Sequence, residues 1–210
     1  MTGTILGAPR PSSYPVRVEF DEQEPISRLW GIPILGHAIR WLILLPHWIV
    51  VAILTWLVGL SILVSWIPIL LNGRPAAWMY DLIGGEYRWS TRVSAYALML
   101  TDTYPPFSFD APHPVRVEID RDQRVNQLMG IPFIGLCARA LILIPHFIAL
   151  WFLGIGSVLV LLVSWIPVLL NGRMADWGYR ILGGTLRWAI RVTLYFLMLN
   201  DVYPPFRLRD

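Results

Sequence analysis

Residues 41–71 read WLILLPHWIVVAILTWLVGLSILVSWIPILL, and residues 140–170 read ALILIPHFIALWFLGIGSVLVLLVSWIPVLL. Each run is 31 residues long and contains no Asp, Glu, Lys or Arg. A helix needs about 20 apolar residues to cross the hydrocarbon of a bilayer. The buried helix of a soluble protein seldom stays charge-free for longer than that. These two runs decide the fold class: mainly α, an integral membrane helical protein.

The residues around the runs show that one unit is written twice. Shifted by 99 positions, the chain matches itself without a gap. Pro15-Val16-Arg17-Val18-Glu19 returns as Pro114-Val115-Arg116-Val117-Glu118, and Pro46-His47 as Pro145-His146. Ser65-Trp66-Ile67-Pro68 returns as Ser164-Trp165-Ile166-Pro167, and Asn72-Gly73-Arg74 as Asn171-Gly172-Arg173. Arg88-Trp89 and Arg92-Val93 return as Arg187-Trp188 and Arg191-Val192, and Tyr104-Pro105-Pro106-Phe107 as Tyr203-Pro204-Pro205-Phe206. The chain therefore divides into an N-terminal tail (1–13) and two membrane repeat units (14–110 and 111–210).

Composition agrees with the runs. Of the 210 residues 56% are hydrophobic and 15% charged, against about 25% charged for a soluble domain. That argues against a soluble enzyme and against a disordered chain. All 17 basic residues are arginine, whose weakly hydrated guanidinium suits phosphate headgroups. The arginines are spread along the chain among carboxylates, so nucleic acid is not the expected partner. The single cysteine, Cys137, excludes an internal disulfide and reads as a packed thiol. Met1 to Pro15 lack the basic start, apolar run and small-residue site of a secretory signal.

Each unit has the same order. Val16 to Phe20, and Val115 to Ile119, alternate with period two and read as short half-buried strands that can pair with each other. The charge-free run follows and stops at Asn-Gly. Trp78 to Leu100, and Trp177 to Leu199, carry arginines four apart on one helical face. Trp89, Val93, Tyr96 and Leu100 lie on another face. This is the pattern of an amphipathic helix in the headgroup region, or of one packed on the unit's own core. Tyr-Pro-Pro-Phe then ends the helix, since proline cannot continue it.

A 31-residue run would extend about 46 Å as one helix, against about 30 Å of hydrocarbon. It falls short of the roughly 40 residues that two spans need. Gly59, Gly154 and Gly156 sit near mid-run, and arginine flanks both ends of each run. If arginine prefers the cytoplasmic side, both ends want one side. The preferred expectation is thus a membrane helical hairpin in each unit, with four embedded segments and both termini cytoplasmic. The alternative is one long bent helix per unit.

His47 and His146 are equivalent and could form an intramembrane polar pair, binding a cofactor or moving protons. Alternatively, each bonds near the carbonyls freed by the preceding proline. Arg40, Arg88, Arg92, Arg139, Arg187 and Arg191 are candidate lipid-headgroup contacts. Arg40 must otherwise snorkel or find a partner. Pro46, Pro68, Pro145 and Pro167 mark bends. No carboxylate occurs between Glu24 and Asp81, or between Asp122 and Asp176. No phosphate-binding loop with lysine, no HExxH and no acid beside the run's serines is present. Catalytic residues, metal and cofactors are accordingly expected to be absent.

These elements resemble an uncharacterised bacterial membrane-protein family, catalogued as domain of unknown function 4389. They are Arg…Pro-His, Ser-Trp-Ile-Pro, Asn-Gly-Arg, Arg-Trp…Arg-Val…Tyr and Asp…Tyr-Pro-Pro-Phe. The resemblance covers nearly the whole chain as two tandem copies, and it implies a membrane location. The family's Arg-Tyr-Pro after the run is altered here to Arg74-Pro75 and Arg173-Met174. The leading functional expectation is a non-enzymatic scaffold, accessory subunit or lipid-organising element of the inner (cytoplasmic) membrane. Its partners would be the bilayer and other subunits or a homo-oligomer. A channel or carrier between the repeats, and a cofactor-binding subunit using the histidines, are the competing readings.

Overall fold

A computed structural model describes residues 14–21, 23–131 and 133–209. The tail expected at 1–13 lies outside the described residues. The charge-free runs do not fold back on themselves. A short helix α1 (Leu35–Ile43) is followed, after Leu44, by one continuous helix α2 (Leu45–Asn72). The second unit repeats this as α4 (Ile134–Ile142) and α5 (Ile144–Asn171). The 28 residues of α2 and of α5 each span about 42 Å. Both helices are long and apolar enough to cross a membrane.

The mid-run hairpin is therefore corrected to its alternative, one long helix per unit. The reason is physical. A turn at Gly59 would strand backbone donors and acceptors among apolar side chains, at several kcal/mol per group. Glycine inside a helix costs only about 1 kcal/mol. Pro46 and Pro145 occupy the first helical turn, where no donor is lost, directly after the breaks at Leu44 and Leu143, and the helices continue through Pro68 and Pro167. The real stops are Gly73 and Gly172, at φ 62° and 64°. Their N–H groups bond the carbonyls of Ile69 and Val168, as in a left-handed helix cap.

Strands β1 (Val16–Phe20) and β2 (Val115–Ile119) pair antiparallel with Val18 opposite Val117. These two residues are 99 apart, so a pseudo-two-fold axis relating the units passes through this pair. Val16, Val18, Val115 and Val117 are buried. Arg17 faces Glu118 and Glu19 faces Arg116, and the Arg116 guanidinium lies 2.6 Å from Asp21.

Helices α3 (Ala77–Ala97) and α6 (Asp176–Phe196) occupy the middle of the molecule. α3 lies between β2 and α2, and α6 between β1 and α5. Of the two expectations for these helices, the structure has the one packed on the core: Trp89, Val93, Tyr96 and Leu100 are buried, as are their counterparts.

The units are interlocked. A 3-10 turn at Arg28–Gly31, which leads into α1, packs on α5. Its counterpart Gln127–Gly130 packs on α2. A Cβ on Gly31 would strike the backbone of Leu169, and one on Gly130 the side chain of Ile69. The segment feeding each long helix is thus seated against the far end of the other, so α2 and α5 run in opposite directions. Cys137, on α4, is exposed rather than packed.

Candidate functional site

The repeated motif residues converge at the start of each long helix. Arg40, fully buried, donates to Asp102 at 2.5 Å and to the Thr101 carbonyl at 3.0 Å. Its guanidinium lies 4.0 Å from the ring centre of Tyr96 and 5.1 Å from that of Trp30, within cation–π range. Arg139 repeats the arrangement with Asp201, the carbonyls of Tyr195 and Asn200, and the Tyr195 ring. The headgroup expectation for Arg40 and Arg139 is corrected: both point inward. A buried charge requires a partner, and the aspartate of each Tyr-Pro-Pro-Phe segment supplies it.

The histidines sit just beyond these pairs. Trp89 Nε1 donates to His47 Nδ1 at 3.0 Å, and Trp188 Nε1 to His146 Nδ1 at 3.0 Å. An Nδ1 that accepts from tryptophan leaves the ring proton on Nε2. Phe107 stacks on His47 at 3.8 Å and Phe206 on His146 at 3.9 Å, with Tyr104 and Tyr203 alongside. Each histidine is enclosed by its own unit. Among the described residues no hydrogen bond or ring contact joins His47 to His146, so the facing pair is not formed. The partner of each is tryptophan, not a carbonyl freed by proline.

The remaining arginines divide between carbonyls and two cavities. Arg92, buried, donates to the Ser108 carbonyl at 3.0 Å. Burial, and then Arg88, hold its pKa below the ordinary value. Arg191 is buried beneath Tyr14, and its pKa is pushed down to about 10 by burial and then by Arg187 and Arg207. Arg187 donates to the carbonyls of Val18 and Leu208.

Arg88, Arg92 and Arg116 line an open cavity of about 470 Å³ together with Asp110 and Glu118. Arg88 is 3.3 Å from Asp110. The equivalent cavity of the second unit, about 400 Å³, is lined by Arg180, Arg187 and Arg209, with no carboxylate among the described residues on its wall. Arg209 stands there where the first unit has Asp110. Of the two, the second has the charge to receive an anion.

One polar group was not anticipated. Glu86 of α3 is buried against α2, where the Thr55 hydroxyl donates to its Oε1 at 3.0 Å. Burial raises its pKa to about 7, with hydrogen bonds from Thr55 and Ser90 opposing the rise. The second unit has Thr185 at this place and Gly154 opposite it, so the fold does not require the carboxyl. The signal was available: Glu86, Trp89 and Val93 share one helical face.

The largest continuous feature is apolar. Ile49, Ile53, Trp56, Leu60, Leu63 and Ile67 form an exposed stripe along α2, and α5 carries a similar one. Only 22% of the most apolar stretch of α2 and 11% of that of α5 is buried, whereas the core helix of a soluble protein is mostly buried. The short helices and the residues that cap them add Ile34, Leu42, Phe133 and Leu141 to this surface.

A family described as a domain of unknown function (DUF4389) matches residues 35–108 and 134–207. These two segments hold both long helices and the Arg40–Asp102 and Arg139–Asp201 pairs. No curated protein matches the chain. No solved structure matches it.

Proposed function

Taking as premise that the chain belongs to the DUF4389 family in two tandem copies, we propose a non-enzymatic, membrane-embedded protein that organises or bends the lipid around it. The observation that carries this reading is the exposed apolar surface of α1, α2, α4 and α5. Patches of that extent need lipid or a partner to cover them. The non-catalytic reading is supported by the engagement of the repeated polar residues with one another: arginine with aspartate, histidine with tryptophan. Lipid is the primary partner, with a second copy or another membrane subunit as further company.

The arginine-lined cavity of the second unit supplies the headgroup site. Arg180, Arg187 and Arg209 would meet the phosphate of an anionic lipid there. The membrane is the cytoplasmic one, with both termini on its cytoplasmic side, where arginine-rich segments are favoured.

Reconstitution into vesicles tests the proposal. Vesicles rich in anionic phospholipid should narrow or tubulate as protein density rises. The Arg180→Gln/Arg209→Gln variant should need more protein to do the same. Vesicles unchanged at every density would contradict the lipid-shaping role.

A further inference from the structure

We infer that the long helices lie flat within one leaflet instead of crossing the bilayer, with the pseudo-two-fold axis along the membrane normal and the charged β-sheet in water. The inference rests on the membrane reading above and specifies how the apolar surface meets lipid.

Helix α3 brings exposed charge beside the middle of α2. Two hydrogen bonds align α3 with it: Trp89 to His47, and Thr55 to Glu86. From His47 to Thr55 the chain ascends α2, while from Trp89 to Glu86 it descends α3, so the helices are antiparallel. Asp81 lies five residues beyond Glu86, about 7.5 Å further along α3. That places it near the midpoint of α2. There Asp81 pairs with Arg121 at 2.6 Å, and both side chains are more than half exposed, at 61% and 57%.

The sheet is at the same level. A Cβ on Gly84 would lie 3.5 Å from Ile119, so β2 rests on the middle of α3. Its exposed Arg116 and the neighbouring Asp21 and Glu19 travel with it. Upright long helices would carry these exposed ion pairs to mid-bilayer depth, where each charge costs several kcal/mol. With α2 and α5 lying flat, the same groups stand on the side of α3 and α6 away from the apolar helices, in water.

Two further observations agree. α1 and α4 have nine residues each, about 14 Å, too short to cross, yet they expose Leu35, Leu42, Ile134 and Leu141. Shallow burial accommodates them. In addition, α2 and α5 run in opposite directions, so upright helices would send the Arg74 and Arg173 ends to opposite sides against the positive-inside preference. Flat helices keep both on one side. Insertion into one leaflet also expands that leaflet alone, which supplies the bending force.

The test uses single cysteines in a Cys137→Ser background: Arg74→Cys, Arg173→Cys and Asp122→Cys, all exposed positions. Spheroplasts and inverted membrane vesicles from expressing cells are treated with a membrane-impermeant maleimide. Full labelling of each site in detergent confirms that each cysteine is reactive, and unchanged thermal unfolding in detergent confirms that each variant is folded. The expected result is that all three sites react from the same face. Reaction of the Arg74 and Arg173 sites on opposite faces, or protection of the Asp122 site from both, overturns the flat orientation and leaves the membrane reading intact. Recovery of the chain in the aqueous fraction, as a monomer or as a dimer paired through its apolar faces, removes both.

Discussion

Arg40 and Asp102 form an ion pair at 2.5 Å in which the arginine is wholly buried and the aspartate one-quarter exposed. Arg139 and Asp201 repeat it in the second unit. Each pair ties the helix that opens a unit's apolar run to the segment that closes the unit. Removing one partner of a buried pair strands the other charge, which costs about 3–5 kcal/mol. Asp102→Asn keeps the shape and removes the charge. Thermal unfolding in detergent should show a loss of about 3 kcal/mol, the low end of that range, because water reaches part of Asp102. An unchanged melting temperature would show that the carbonyl of Thr101 and the Tyr96 ring suffice.

The histidine box makes a separate prediction. Trp89→Phe keeps the aromatic packing but leaves His47 Nδ1 without its donor. A stranded buried acceptor costs about 1–3 kcal/mol. Trp188→Phe should cost a similar amount through His146. Solute flux through vesicles should be the same for the wild type and a His47→Ala/His146→Ala variant. A flux difference between them would restore a histidine-centred pathway.

Glu86 predicts a pH dependence with a definite sign. Its folded pKa near 7 exceeds the ordinary value of 4.5, chiefly through burial. The folded state therefore holds the proton more tightly than the unfolded state does. The contribution of Glu86 to stability is greatest below about pH 4.5 and is lost as pH rises through 7. The decline is on the order of 3 kcal/mol at about 1.4 kcal/mol per pH unit. Unfolding of the wild type and Glu86→Gln between pH 5 and 8 measures it. The variant should lack this component, and parallel curves for the two proteins would contradict the assignment.

Two kinds of glycine can be told apart by alanine. A Cβ at Gly59 meets nothing within 4 Å, and alanine is the better helix former. Gly59→Ala should therefore stabilise by about 0.5–1 kcal/mol. At Gly31 the same change strikes the backbone of Leu169 and should destabilise by more than the helix effect alone. If Gly59→Ala destabilises comparably, residue 59 is a bend and the continuous helix is wrong.

Much of this architecture is legible in the sequence, and the losses have physical causes. The repeated period-two stretches foretell two strands that can pair, whereas their antiparallel register with Val18 opposite Val117 comes from the two-fold arrangement of the units. The charge-free runs foretell two long apolar helices. The continuity of α2 through Gly59 is not legible in the sequence, because mid-run glycine and flanking arginine point to a turn whereas backbone hydrogen bonding keeps the helix whole. The inward turn of Arg40 was hidden because Asp102 lies 62 residues away, in a stretch read as an exit. The role of Glu86 is hidden because it lies outside the apolar runs, and a neighbouring helix brings it to them. The exchange of Gly31 and Gly130 between units leaves no trace in local pattern, since it is a close approach of distant backbone.

The central claim is that the exposed side chains of α2 and α5 are solvated by lipid. Alkaline carbonate washing of membranes from cells expressing the full chain, followed by flotation on a density gradient, tests it most directly. The chain should remain with the floating bilayer fraction and leave it only when detergent is added. Release into the carbonate supernatant as a detergent-free monomer would contradict the claim.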